Sequence, residues 1–494
     1  MALKRILILL LWFCFSMGMI ACAEDTEEPP QDENQSDPQQ EEEAPAGEEQ
    51  ADTNSTTPKN VIVMIGDGMG VGQMEVARLF EHGKNGELFM ETLPNVALSR
   101  TYSADNMVTD SAAAGTALAN GEKTNNGMLG VSPDGEELTS VLDIFQEQGK
   151  TVGIVSTNTV TDATPAGFVA KVESRAGQDE IARQIFEGQY DIALGGGRRN
   201  FEPDRQDGND LIEDFLEAGY ELVETRDELI AYEANEDTKL LGLFHPSFMN
   251  YVGDREVNNS EEPTLVEMTE KAIERASLDE DGFFLMIEGA RIDHISHAAD
   301  FGGIWRETVE FDHAVEYAVN WAEDDGETLV LVLADHETMG VAATEEMNID
   351  ALKAVGVSPE YMAQQLEIDE GTGNYTEESI KEVFAEYANI DISDEEVREF
   401  QENVWDADDP EGRLILEHEV GWEIGSIIAY HYRAGVIDRQ IREESDTGGH
   451  TGNMVPVFSI GVGAERFEGV LDNIEIPRMI AEISGYEFTL GEND

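Results

Sequence analysis

The chain has 494 residues and carries 105 Asp and Glu against 30 Lys and Arg, a formal net charge of −75 at pH 7. That length suffices for one large α/β domain with insertions or for two domains. So large an acidic excess excludes a nucleic-acid binder, which would present a basic surface, and predicts a solvated, halophilic body that works in high salt.

The chain begins Met1-Ala2-Leu3-Lys4-Arg5, continues mostly apolar from Ile6 to Ile20, and reaches Ala21-Cys22. A positive start, an apolar run too short to span comfortably and a small residue before cysteine predict a bacterial lipoprotein signal peptide over residues 1–22. Cleavage before Cys22 and lipid on its thiol would leave the body exported and membrane-anchored to the bacterial cell envelope. An ordinary secretory signal or an uncleaved anchor is the competing reading. Cys14 and Cys22 are the only cysteines, so the body is expected to lack disulfides and to rest on its core and bound metals. Residues 23–58 are dominated by Glu, Asp, Gln, Pro, Ser and Thr, too polar to bury a core, which predicts a disordered acidic tether.

From residue 59 to 494 the pattern is one of buried strands with polar exits. Asn60 to Ile65 reads as a strand buried on both faces and ends in Gly66-Asp67-Gly68-Met69-Gly70, with a helix expected from about Gly72 to Glu81. Thr109-Asp110-Ser111 precedes an alanine-rich helix. Asp110 or Ser111 could simply cap it, but a serine at a helix start also sits where free N–H groups welcome an anion. Its hydroxyl is inert until a base or metal ionises it, and no histidine lies within five residues, which favours a metal. Gln146 to Lys150 closes a helix, and Thr151 to Thr157 is the next strand. Asp162 and Thr164 follow it as oxygen ligands for a hard ion, and Arg175 offers a planar fork for phosphate. Asp191 to Leu194 leads into Gly195-Gly196-Gly197, another strand with a glycine-rich exit.

Phe283 to Ile287 is a further buried strand, ending in Glu288-Gly-Ala-Arg-Ile-Asp293-His294-Ile-Ser-His297. Asp293 and His297 are one helical turn apart and aim at one point, a donor pair that suits zinc. The same spacing also occurs in ordinary surface pairs. Glu288 at the strand tip would serve a second, harder ion. Glu307 to Glu323 reads as an amphipathic helix, and Thr328 to Leu333 as a strand that ends in Asp335-His336. Residues from about 344 to 443 are charged and helix-forming, a mostly helical insertion with Trp405, Trp422 and Tyr430 as its expected anchors. Gly448-Gly449-His450-Thr451-Gly452 closes it, and Pro456 to Gly461 returns to the sheet. No apolar run after the signal is long enough for a membrane helix.

Asp67, Glu288, Asp293, His297, Asp335, His336 and His450 thus collect at strand ends and glycine turns. Two zinc ions about 3.5–4 Å apart would suit in-line displacement at phosphorus. At this point the sequence resembles the alkaline phosphatases, from about Lys59 to Gly469, with the motifs in family order around a variable 344–443 segment. The resemblance implies an α/β catalytic domain with a central, mostly parallel sheet and helices on both faces. It implies hydrolysis of small phosphate monoesters through a phosphoserine, inorganic phosphate as product, and two zinc ions with one magnesium. By motif, it makes Ser111 the nucleophile, Asp110 the residue that orients Arg175, and Arg175 the grip on two phosphate oxygens. It assigns Asp293, His297 and His450 to the first zinc, and Asp335 and His336 with Asp67 to the second. Thr164 and Glu288, with Asp67 and waters, complete magnesium, one water being held by Asp162.

His294 stands where some members have lysine and others histidine or tryptophan, which leaves its effect on phosphate and on the third metal site open. Dimer-building insertions vary in the family, so a homodimer is allowed and not required. Two other functions compete: a non-catalytic, metal-dependent phosphate-binding lipoprotein, and a phosphodiesterase of the same superfamily. Asp-Ser-Ala with Arg175 points to monoesters.

The charge yields a first prediction. Unscreened like charges raise the free energy of the compact state, and the Debye length falls from about 10 Å at 0.1 M salt to about 3 Å at 1 M. Bases are too few to pair most of the acids. Melting curves of the tether-free body at roughly 0.1 M and 2 M sodium chloride, with zinc and magnesium constant, should show a strong rise with salt. A flat or falling melting temperature contradicts the high-salt reading.

Overall fold

Ten strands form one sheet within residues 57–406 and 413–488, the residues that the computed structural model describes. The expected signal peptide, Cys22 and the tether as far as residue 56 lie outside the described residues. In chain order the strands are β1 (Asn60–Gly66), β2 (Asn95–Arg100), β3 (Thr151–Thr159), β4 (Ile192–Gly196), β5 (Tyr220–Val223), β6 (Lys239–Leu243), β7 (Phe283–Gly289) and β8 (Thr328–Leu333). Four two-residue strands follow: β9 (Glu337–Thr338), β10 (Trp405–Asp406), β11 (Arg413–Leu414) and β12 (His450–Thr451). The last are β13 (Val455–Gly461) and β14 (Gly469–Asp472).

The sheet order is β14-β2-β13-β8-β1-β7-β3-β4-β6-β5. Only β13 runs against its neighbours, β2 and β8; every other pair in the sheet is parallel. The mostly parallel sheet that the resemblance implied is therefore present. The central strands β1, β7 and β8 are buried along their whole length because both faces are covered. Alternate residues of β1 point to opposite layers. Val61, Val63 and Ile65 join a core with the helices Ser111–Asn120, Val141–Glu147 and Ala163–Val169. Ile62 and Met64 join a second core with Leu265–Ala276 and Phe301–Asp325.

The register puts the chemistry on one edge. Ile65 lies beside Glu288 of β7 and Leu333 of β8, and Glu288 lies beside Ser156 of β3. The four adjacent strands β8, β1, β7 and β3 therefore deliver their polar exits to a common carboxyl edge, where open α/β sheets hold ligands.

Two expectations need correction. The helix expected over Glu307–Glu323 spans Phe301–Asp325. Asp300 caps it by accepting the Gly302 N–H at 3.0 Å, and Phe301 and Ile304 bury in a third core. The Gly302-Gly303 pair hid this first turn from a propensity reading. Tyr430, expected to anchor the insertion, is 68% exposed, and Trp422 turns toward the cavity described below. The 344–443 segment holds six helices among the described residues, with β10 and β11 as an antiparallel pair. Its packing rests on Leu352, Ile380, Phe384, Phe400 and Ile424, which continue into Val76 and Phe80 of the helix Val71–His82. Among the described residues, no helix is long and apolar enough to cross a membrane.

One contact sets where the serine helix sits. A Cβ at Gly167 would lie 2.7 Å from the Gly115 carbonyl carbon and 2.9 Å from the Thr116 nitrogen. The helices Ser111–Asn120 and Ala163–Val169 thus pack backbone to backbone, with Gly115 against Thr164 one turn beyond Ser111. Alanine at 167 should gain about 1 kcal/mol in helix propensity and lose more to overpacking, typically about 1–3 kcal/mol. Gly167→Ala should lower the melting temperature, and an unchanged or raised value would refute this packing argument.

Candidate active site

Asp110 ends the extended approach to the helix Ser111–Asn120 and accepts the Ala113 N–H at 2.9 Å through its side chain. Its other oxygen accepts Gly127 N–H at 3.0 Å and lies 3.2 Å from Arg175 Nη1. Capping and arginine orientation, rival readings of one aspartate, are both satisfied because a carboxylate has two oxygens to share. Arg175 Nη2 lies 3.4 Å from Asp162, so the guanidinium is held between two carboxylates. Partial burial pulls its pKa down, but Asp162, Asp110 and Asp67 outweigh this and keep it charged. Asp162 is thus also a partner of Arg175.

Gly68 adopts φ +68°, and a Cβ there would lie 2.8 Å from Asp293 Oδ1. Only glycine tolerates both that backbone angle and that approach. The turn lets Gly68 N–H donate to Asp335 at 3.1 Å and brings Asp67 against the other ligands.

The imidazoles carry the strongest chemical statement. His297 Nδ1–H donates to the Gly448 carbonyl at 2.8 Å, and His450 Nδ1–H to the Thr109 carbonyl at 3.0 Å. The Thr338 hydroxyl donates to Asp293 and so accepts from His336 Nδ1–H at 3.3 Å. All three rings therefore turn Nε2 toward the carboxylates, with Nδ1 engaged behind them. Those nitrogens face carboxylates: His297 lies 3.2 Å from Asp293, and His336 3.2 Å from Asp67 and 3.3 Å from Asp335. His450 Nε2 is 3.5 Å from Asp293 and 3.3 Å from His297 Nε2. Burial would lower the His297 pKa, but Asp293 raises it, so these spacings call for a proton or a metal cation between the groups.

The carboxylates repeat the point. Asp67 Oδ1, Glu288 Oε1 and Asp335 Oδ2 are buried with no hydrogen-bond partner. Asp67, Asp335 and His336 form one compact ligand group, and Asp293, His336 and His450 another. His336 is within reach of both, so the division of ligands between two ions is finer than this spacing alone decides. The Thr164 hydroxyl is 3.5 Å from Asp67, and Ser156 donates to Glu288. Such mixed nitrogen–oxygen and all-oxygen groups fit divalent cations of the zinc and magnesium types.

Burial, with the charges of Asp335, Asp293, Glu288 and Asp162, pushes Asp67 well above the usual carboxylate range. Burial likewise pushes Glu288 up to about 8 and raises Asp335. Burial would also raise Asp293, but His297, His450 and His336 hold it well below its ordinary value.

Ser111 Oγ lies 3.1 Å from His336 Nε2, although 225 residues separate them in sequence. A cavity of about 380 Å³ opens over Ser111, Arg175, Asp293, His297 and His450, and His294 also lines it. Arg291 Nη1 faces His294 Nδ1, while burial and the Arg291 charge keep that ring neutral. Ser156, Thr338 and the Gly448 carbonyl are supporting groups that sequence reasoning missed. Thr338, two residues after His336, carried the only local signal.

A family model for alkaline phosphatase matches residues 58–486. Alkaline phosphatase 4 of Bacillus subtilis (strain 168) is 34% identical over 443 residues, covering 86% of this chain and 88% of the relative. The crystal structure of Thermus thermophilus alkaline phosphatase is 29% identical with a TM-score of 0.76, covering 87% of this chain and 92% of that one. A histidine-to-aspartate mutant of TAB5 alkaline phosphatase with Mg bound in the M3 site is 26% identical, TM-score 0.61, covering 87% and 99%.

The protonation of the site gives a prediction. Between about pH 6.5 and 8 the metal-free folded chain keeps on Glu288 a proton that the unfolded chain has released, and the raised Asp67 acts in the same direction. Stability of chelated protein should therefore fall as pH rises through that window. Zinc and magnesium should remove the slope and raise the melting temperature. Chelated protein that gains stability over this pH range would contradict the carboxylate cluster as described.

Proposed function

The chain belongs to the alkaline phosphatase family, and from that premise we propose that it hydrolyses small phosphate monoesters through a covalent phosphoserine at Ser111. The observation that carries this reading is a serine hydroxyl at a helix start, with a charged Arg175 on one side and Nε2 of His336 3.1 Å away on the other.

Asp293, His297 and His450 would hold a first zinc, and Asp335 and His336 with Asp67 a second. Thr164, Glu288 and Asp67 would hold a magnesium. These ions supply positive charge that favours the ionised forms of serine and water and offsets the charge of the phosphoryl oxygens. The chain's own residues do the rest. Arg175, fixed by Asp110 and Asp162, grips two phosphoryl oxygens with its planar fork. Free N–H groups at the start of Ser111–Asn120 face the same anion. Ser111 Oγ attacks phosphorus, the ester oxygen leaves as an alcohol, and water then displaces Oγ to release inorganic phosphate. The neutral ring of His294 borders the cavity without adding charge to the phosphate grip.

Met1 to Cys22 supports an exported, lipid-anchored enzyme acting outside the cytoplasm, with residues 23–58 as its spacer. The excess of acidic residues supports work in high salt.

Two variants test this function. Ser111→Ala should lose most turnover of an aryl phosphate while retaining its metals. Acid quenching of the wild type should leave phosphate on Ser111, detected by peptide mass analysis. Absence of that phosphopeptide in an active enzyme would refute the covalent route, and absence of any turnover would favour a phosphate-binding protein. A bidentate charge-assisted contact is worth about 1.5–3 kcal/mol. Arg175→Ala should therefore weaken inhibition by inorganic phosphate by roughly ten-fold or more. An unchanged inhibition constant removes Arg175 from the site.

A further inference from the structure

Trp422 lies on the helix Glu417–His431, inside the 344–443 segment, yet its ring rests on a ligand histidine of the central site. The indole stacks on the His297 imidazole with centroids 5.1 Å apart and planes 21° from parallel. The same imidazole donates through Nδ1 to Gly448. A Cβ at Gly448 would lie 3.2 Å from the His297 ring and 3.3 Å from the Trp422 ring, so loop, imidazole and indole form one packed unit.

The indole is held in turn. Arg442, 4% exposed, places its guanidinium 5.6 Å from the Trp422 ring centroid. It donates to the Trp422 carbonyl, to Ser426 Oγ and to Glu423 at 3.3, 2.9 and 2.9 Å. The His450 ring stacks on His336 instead.

We propose that Trp422 is a positioning residue: its ring sets the plane of His297 so that Nε2 points to the metal site formed with Asp293 and His450. The inference rests on the metal assignment given under the proposed function. The Gly448 carbonyl alone leaves the imidazole free to swing about that hydrogen bond, and the flat indole removes the swing. Groups that orient a ligand from behind typically govern metal affinity by 10–100-fold. The insertion, with its own apolar core, thereby becomes part of the metal site.

The test is a zinc titration of the full exported body against a competing chelator, with elemental analysis counting each site. Trp422→Ala should weaken one of the two zinc sites about ten-fold or more and leave the other unchanged. Trp422→Phe, which keeps a flat ring, should restore most of that affinity. Trp405→Ala, in the same segment but packed near Gly373, should lower the melting temperature without altering the titration. His297→Ala should empty the site that Trp422→Ala weakens. Wild-type zinc affinity in Trp422→Ala, alongside a lost site in His297→Ala, overturns the positioning role alone. An equal loss in Trp405→Ala overturns it too, by making the effect one of general destabilisation. Two full sites in His297→Ala would bring down the metal assignment, and the proposal with it.

Discussion

Four buried carboxylates at one edge of a parallel sheet are the constraint on which the rest of this structure depends. Asp67, Glu288, Asp293 and Asp335 are each at most 5% exposed, and three of their oxygens accept no hydrogen bond. Desolvating one carboxylate costs several kcal/mol even after relaxation, and like charges in contact add to that. No ordinary hydrogen bond, worth about 1 kcal/mol net, offsets such terms. The cluster is tolerable only with protons or cations. The histidines, each with Nε2 turned inward among these oxygens, add the nitrogen donors that suit zinc-type cations.

Strand order is what brings the cluster together. β8, β1, β7 and β3 are adjacent and parallel, so their exits share an edge although they come from residues 67 to 336. The apolar strands beneath are almost completely buried. Each buried aliphatic side chain contributes about 1.5–3 kcal/mol, and a stiff sheet of this kind can hold groups that repel one another. Unfavourable chemistry at the edge is offset by favourable burial below it. Glycines at 68 and 167 mark where backbone had to come closest, one beside Asp293 and one behind the serine helix.

The insertion changes how the site is bounded. Without it, the sheet edge would be an open rim lined mainly by ligands. The helix Glu417–His431 and the loop that closes on Gly448 instead cover one side of His297 and help shape the cavity. Arg442 and Glu423, both nearly buried and paired at 2.9 Å, tie that helix to the loop. This side of the cavity is thus shaped by a segment that packs in a third core, shared with Val76, Phe80 and Phe301 of the helices beside the sheet.

Apolar runs followed by Asp67, Glu288, Asp293-x-x-x-His297, Asp335-His336 and His450 were legible in the sequence by themselves. They carried the α/β class and the ligand types, because strand burial and ligand chemistry are local properties of residue order; the mostly parallel sheet came from the resemblance those motifs support. Partnership across the chain was not legible in that way. That His336 lies at Ser111, that Asp162 pairs with Arg175, that Thr338 bridges His336 and Asp293, and that Trp422 covers His297 all depend on which strands become neighbours. Helix limits at Phe301 and the exposed position of Tyr430 also followed tertiary packing, which overrode propensity and residue size. Sequence determined which chemistry stands at each strand end; the fold alone decided which ends meet, because contact between distant residues is set by the burial of everything between them.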